Sequence, residues 1–148
     1  MIAINGIKVE SIDDIRRTWA EIDDGCYRSP CKSTVIWLGD GATVGKGAKI
    51  GNHARIDYGV TLGDDVVLGC AATVGHCAKI GDEVVLGKAA KLGYWAAVGN
   101  GGKIGDAATV GCGAMLGDDV VLGDWATIGD GARIDPRTTI GATCCVTE

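Results

Sequence analysis

Phenylalanine is absent from this chain of 148 residues, and four tryptophans and three tyrosines are its only aromatic residues. An interior filled with bulky rings is therefore excluded, and a narrow core of Leu, Ile, Val and Ala is the alternative. No apolar run approaches the roughly 18 residues of a membrane span, and the N-terminus lacks the basic-then-apolar pattern of a secretory signal. Positive charge is also in short supply. Fourteen Lys and Arg against nineteen Asp and Glu leave a formal net charge of −5, which argues against a nucleic acid or an anionic membrane as partner. The seven cysteines include no CxxC pair and read as reduced, buryable thiols, so a cytoplasmic location is expected. Two histidines fall short of the three protein ligands that a catalytic zinc wants, so no metal requirement is expected.

What is abundant is glycine, 25 residues, and it is placed with great regularity. From Leu38 to Val146 a branched aliphatic residue stands at every sixth position, nineteen times without a slip. The series begins Leu38, Val44, Ile50, Ile56, Leu62 and ends Ile128, Ile134, Ile140, Val146. Glycine follows it in sixteen of the nineteen repeats, the exceptions being Asp57, Asp135 and Thr147. Two positions before it stands Ala in eleven repeats and Val in four. Neither a 3.6-residue helix nor one alternating strand has a period of six; a solenoid of short stacked strands does. Alternation turns the aliphatic residue and the Ala or Val inward, and the residue between them outward. Outward positions include Lys49, Arg55, Thr73, Lys79, Lys91 and Thr109, as this pattern requires. The Gly or Asp after each aliphatic residue is expected to supply the backbone freedom to turn a corner.

On these residues the chain resembles the hexapeptide-repeat, left-handed parallel β-helix family. The resemblance implies an all-β solenoid of about six triangular coils, eighteen residues each, over residues 36–148, preceded by a short N-terminal α/β cap at 1–35. The left hand comes from the resemblance alone, since parallel crossovers are normally right-handed. In the cap, Ile2, Ile4, Ile7 and Val9 flank Asn5-Gly6 and suggest two extended pieces around a turn. Ser11 and Asp14 resemble a capping box, with Ile12, Ile15, Trp19 and Ile22 marking one helical face and Gly25 its end. Its task is to cover the first coil, while the far end is either blunted by Thr147 and Glu148 or covered by another chain.

An eighteen-residue coil orders the surface into columns. One corner stacks Tyr58, His76, Tyr94 and Cys112, with Gly59, Cys77, Trp95 and Gly113 beside them. A second stacks Asp64-Asp65, Asp82-Glu83, Asn100-Gly101 and Asp118-Asp119, expected to serve solubility rather than to hold a cation. One flat face carries Lys49, Val67, Val85, Lys103, Val121 and Thr139. Family members are typically trimers with parallel axes, and Val67, Val85 and Val121 are the candidate trimer interface. Ala97 and Met115 form a weaker apolar patch on another face.

Val74-Gly75-His76-Cys77-Ala78-Lys79-Ile80-Gly81 looks like the segment of acyltransferases in this family whose histidine acts as general base. The resemblance makes His76 the candidate base, acetyl-CoA or another acyl-CoA the co-substrate, and a small hydroxyl or amine the acceptor in an intersubunit cleft. Imidazole titrates where such proton removal is needed, and backbone N–H groups at the corners could steady the oxyanion. Tyr58, Tyr94 and Trp95 are candidates to bind substrate. His53 lies on a different corner and reads as structural or solvent-facing. No carboxylate neighbours His76 in its own column, so an orienting acid is expected from another subunit. The repeats run without the long inserted loop that usually closes such sites. That absence keeps open an alternative: a non-catalytic trimer that binds or sequesters a small ligand, such as a nucleotide, or a structural protein.

Overall fold

The structure, a computed structural model, describes residues 1–147; Glu148, the expected last residue of the solenoid, lies outside the described residues. From Thr43 onward the chain forms two-residue strands six residues apart, each ending on the periodic aliphatic residue. These strands stack in parallel, eighteen residues apart, into three sheets that are the faces of a triangular prism. The lysine–valine face aligns Lys49, Val67, Val85, Lys103, Val121 and Thr139. The threonine face aligns Trp37, Arg55, Thr73, Lys91, Thr109, Thr127 and Cys145. The third aligns Thr43, Thr61, Lys79, Ala97, Met115 and Arg133.

Inside, the aliphatic columns and the Ala or Val columns form one continuous core. Burying a Leu or Ile side chain contributes about 1.5–3 kcal/mol, and repetition sums that contribution along the prism. Backbone pairing continues around the corners: the N–H of Cys77 donates to the Tyr58 carbonyl, and that of Trp95 to the His76 carbonyl, both at 2.9 Å. The last residue of each corner is left-handed. Cys77, Trp95 and Trp125 have φ of 58°, 63° and 63°, a conformation that costs a non-glycine residue roughly 1–2 kcal/mol.

The repeat glycines have a different cause from the one their sequence suggests. Gly93 and Gly111 are not among the residues with positive φ. A Cβ on Gly93 would instead lie 2.6 Å from the amide nitrogen of Cys112 and 2.8 Å from the carbonyl carbon of Gly111. The next coil passes too close for any side chain, and close approach rather than conformational freedom fixes these positions.

The acidic corner does more than carry solubilising charge. The carboxylate of Asp64 accepts the backbone N–H of Lys46 one coil earlier, Asp82 accepts that of Asp64, Asn100 that of Asp82, and Asp118 that of Asn100, each at 2.8 Å. The third corner repeats the device, Asp106 accepting from Lys88 and Asp124 from Asp106. These side chains satisfy amides that the coil geometry leaves over. Asn100 is a full member of the ladder, its amide oxygen accepting as the carboxylates do.

The cap extends two of the faces. Strands β1 (Ile2–Ile4) and β2 (Ile7–Val9) form a hairpin, and β1 pairs in parallel with Lys49–Ile50 on the lysine–valine face. Strands β3 (Ala20–Asp23) and β4 (Cys26–Arg28) form a second hairpin that joins β5 (Val35–Leu38) on the threonine face. Between them α1 spans only Ile12–Thr18. The helix therefore stops before Trp19, and Ile22 is an exposed strand residue. Asp24-Gly25, with Gly25 at φ 71°, makes the hairpin turn rather than a helix end, and the pairing of β3 with β4 overrides the helical spacing. The capping box does not form: Asp14 accepts the N–H of Glu10, one residue before the Ser11 N-cap, at 3.1 Å, and the Ser11 side chain caps nothing. All seven cysteines are free, yet only Cys26 is buried, because the outward and corner positions that most of them occupy face solvent.

Candidate active site

Coil-to-coil bonding places Tyr58, His76, Tyr94 and Cys112 in one column, with Asp40 above and Asp130 below. The His76 imidazole is exposed and meets the edge of the Tyr94 ring, centroids 4.9 Å apart and planes at 66°, an arrangement suited to holding a ring in place. His76 also stands where two cavities meet. One, of about 270 Å³, lies under the β3–β4 hairpin and is lined by Glu21, Asp24, Tyr27, Trp37, Asp40, Arg55, Asp57, Tyr58 and His76 among others. The other, about 570 Å³, is a groove along the threonine face, lined by Arg55, Asp57, Thr73, His76, Lys91, Tyr94, Thr109 and Cys112 among others. Of the sequence candidates, Tyr58, His76 and Tyr94 come together here. Trp95 is 69 % exposed and lines neither cavity. His53 sits on another corner near Trp37, ring centroids 6.5 Å apart. The stripe of Val67, Val85 and Val121 lies on a different face from the groove.

Two features of this corner escaped the sequence reading. The first is Asp57, a carboxylate that the chain itself supplies. It lines both cavities with His76 and accepts a hydrogen bond from Arg55 Nε at 2.8 Å. That bond and its charge raise the Arg55 guanidinium above its ordinary pKa, and the pair lines both the cavity and the groove. Asp57 belongs to the column of repeat glycines. A Cβ on Gly39 would crowd the Asp57 and Tyr58 backbone, and one on Gly75 would lie 2.8 Å from the Gly93 carbonyl carbon. A side chain at Asp57 thus stands where the coils before and after admit only hydrogen. Such a break in a local rule makes this corner a candidate site, and the missing glycine at position 57 is its visible signal.

The second is a gap in the amide ladder. At the other corners Asp or Asn one coil on accepts the N–H of Lys46, Asp64, Asp82, Lys88, Asn100 and Asp106, while those of Asn52, Cys70, Asp118 and Asp124 meet no such side chain. On this corner Asp130 accepts that of Cys112 at 2.7 Å. His76, Tyr94 and Cys112 replace those acceptors. Among the described residues, the backbone N–H groups of Tyr58, His76 and Tyr94 consequently have no partner. The corner that carries the imidazole therefore also presents a row of free donors, which is what an oxyanion requires.

With this geometry in hand, comparison with known proteins is informative. A family model described as bacterial transferase hexapeptide (six repeats) matches residues 101–136. No curated protein sequence matches the chain. Among solved structures, the chain resembles a histidine-to-alanine variant of GDP-perosamine N-acetyltransferase from Caulobacter crescentus in complex with CoA and GDP-perosamine. The identity is 23 % and the TM-score 0.74, over 78 % of this chain and 54 % of that one. The chain is a hexapeptide-repeat left-handed β-helix. The acetyltransferase domain of PglB from Neisseria gonorrhoeae is similar at 24 % identity, TM-score 0.68, over 74 % of this chain and 55 % of that one. UDP-N-acetylglucosamine acyltransferase from Francisella novicida is similar at 22 % identity, TM-score 0.67, over 70 % and 45 %. At these identities the likeness is one of fold, and the chain spans about half the length of these structures. No helix among the described residues is long and apolar enough to cross a membrane.

Proposed function

We propose that this hexapeptide-repeat β-helix transfers an acetyl or acyl group from an acyl-CoA-type donor to a small hydroxyl or amine acceptor, with His76 as general base. The observation that carries the reading is the meeting of the His76 imidazole, the free N–H groups of His76 and Tyr94, and two cavities at one corner. The groove, with Lys91, Thr73 and Thr109 along its length, the Arg55–Asp57 pair and the Asp130 carboxylate also on its lining, gives a long donor two cations, Arg55 and Lys91, for its anionic groups. The neighbouring cavity suits the acceptor. The acceptor's lone pair attacks the thioester carbonyl while His76 takes the proton it sheds. The carbonyl oxygen gains negative charge and draws on the free N–H groups. The C–S bond then breaks, and the leaving thiolate recovers the proton from His76. Tyr94 keeps the imidazole in place, and Asp57 holds Arg55 to the donor. In this reading the protein works as a cytoplasmic homotrimer joined along Val67, Val85 and Val121, and no metal takes part.

The alternative, a trimer that binds or sequesters a small ligand without turnover, draws on a specific observation. The Asp57 carboxylate is engaged by Arg55, and among the described residues the His76 side chain has no hydrogen-bonded acid to orient it. One experiment separates the two. Acetyl-CoA is supplied with a panel of small amines and alcohols, thiol release is followed, and the mass in solution is measured in parallel. The transferase reading expects release that falls by about 10²–10⁴-fold in His76→Ala with the assembly unchanged. Equal release by wild type and His76→Ala removes the base, and no release with any acceptor leaves the binding protein.

A further inference from the structure

We infer that the lysine–valine face of one copy seats a corner of a second copy, the corner that carries Ala71, Ala89, Ala107 and Trp125, and that this contact closes a ring of three. The inference rests on the homotrimer of the proposed function and names the surface that the valine stripe meets. Two apolar surfaces lie side by side on the chain. Val85 on the face is 38 % exposed, and Trp125 on the corner that follows the face is 67 % exposed. Ala71, Ala89, Ala107 and Trp125 all hold left-handed backbone, with φ of 60°, 58°, 56° and 63°. Glycine would fill these positions more easily, yet each bears an apolar side chain. The acidic corner has Asp65, Glu83, Gly101 and Asp119 in the matching places.

Symmetry decides which surfaces can pair. In a closed ring of three, each copy meets its two neighbours in directions about 60° apart, and about 60° also separates the middle of a triangular prism's face from either of its own corners. The lysine–valine face can therefore pair with the acidic corner before it or with the alanine–tryptophan corner after it. A ring has no slide along its axis, so residues of the same coil come together. On the acidic corner Val67, Val85 and Val121 would meet Asp65, Glu83 and Asp119, and each carboxylate would lose hydration against an apolar side chain.

The other corner fits coil by coil. Val67 meets Ala71, Val85 meets Ala89 and the alkyl stem of Lys88, and Val121 meets Trp125. Between them Lys103 meets Asp106, a cation against a carboxylate. Both are exposed, and within one chain neither takes part in an ion pair among the described residues. One Asp106 oxygen accepts the Lys88 N–H, which leaves the other for Lys103 of the next copy. Pairing the face with itself about a twofold along the axis would instead set Lys103 on Lys103. The threonine face flanks the same corner, so the groove of Thr73, Lys91 and Thr109 becomes one wall of the cleft between two copies. The neighbour's lysine–valine face becomes the other wall.

The test is the mass of the full chain in solution, with circular dichroism and thiol release from acetyl-CoA measured on the same samples. Wild type is expected at three chains. Trp125→Glu and Val121→Glu should each fall to one chain with the fold intact. A glutamate is accommodated at such a corner, since Glu83 holds the matching position at φ 59°. Lys103→Asp should weaken association by about tenfold, and the Lys103→Asp/Asp106→Lys double variant should recover it. The corner admits a lysine there, since Lys88 occupies that column one coil earlier. Glu83→Lys, on the acidic corner, should leave three chains. A one-chain or two-chain wild type overturns the inference, as does a three-chain mass that survives Trp125→Glu or is lost in Glu83→Lys. The two readings fail separately. Three chains with the expected losses but no thiol release from any acceptor keeps the contact and removes the transferase. Thiol release from a wild type of another mass, or from one whose three chains survive Trp125→Glu, does the reverse.

Discussion

Gly111 and Gly113 stand two residues apart at one corner and differ in why they are glycine, so a pair of alanine substitutions separates the two causes. Gly113 has φ 68°, and a Cβ built there meets nothing within 4 Å. Gly113→Ala should therefore cost only the left-handed conformation, about 1 kcal/mol; Cys77 and Trp95 already occupy the same column at φ 58° and 63°. Gly111 is not among the residues with positive φ. A Cβ on it would lie 2.5 Å from the Asp130 amide nitrogen and 2.6 Å from the Gly129 carbonyl carbon. Backbone cannot rotate aside as a side chain can, so the two coils must part. Parting strains the bond from the Gly111 N–H to the Ile128 carbonyl, now 2.7 Å, and the neighbouring bond from Cys112 to Asp130. Gly111→Ala should cost about 3 kcal/mol or more. Urea unfolding followed by circular dichroism reads both, with the slope checked for constancy. A larger loss for Gly113→Ala than for Gly111→Ala would refute the close-approach account and restore conformational freedom as the cause.

The amide ladder predicts that Asp82→Ala destabilises by about 1 kcal/mol through loss of the acceptor for the Asp64 N–H. Asp82→Asn should be neutral, because Asn100 already does the same work in the next coil; equal losses in urea unfolding would show that charge rather than acceptance matters. Leu86→Ala should cost about 2–5 kcal/mol by the same assay, since Leu86 is fully enclosed in the prism, and a loss below about 1 kcal/mol would mean that the columns are not close-packed. Cys31 should be the first thiol alkylated near neutral pH. The Ser29 and Ser33 hydroxyls lower its pKa from 9.0 to about 7, so it is deprotonated as pH rises through about 7 while an ordinary thiol is still protonated. Burial and the Asp23 carboxylate push Cys26 the other way. Peptide mass spectrometry after brief iodoacetamide treatment orders the sites, and Cys26 reacting ahead of Cys31 would contradict this.

The solenoid was legible because each inward residue repeats the same physical demand nineteen times, so Leu38 to Val146 fix strands, faces and the columns through His76 without reference to distant contacts. The cap was harder. Ile12, Ile15, Trp19 and Ile22 satisfy a helical spacing, yet Trp19 and Ile22 lie beyond the helix because pairing of β3 with β4 outweighs propensity. Asp24-Gly25 carried the hairpin signal and was read as a helix end. At the site, His76, Tyr58 and Tyr94 share a column and were visible as a column. Asp57 and Arg55 belong to neighbouring columns, and their approach to His76 depends on side-chain direction, which periodicity does not encode. The free N–H groups were hidden for a related reason. They become apparent only when the Asp and Asn ladder at the other corners is known, and its absence beside His76 then has meaning.

The central claim is that donor and acceptor meet at His76, and a crystal structure of the full chain soaked with CoA tests it most directly. The account predicts the CoA chain in the groove along Thr73, Lys91 and Thr109, its anionic groups toward Lys91 and Arg55, and its sulfur beside His76. CoA bound on another face, or a groove that stays empty at saturating CoA, would contradict it.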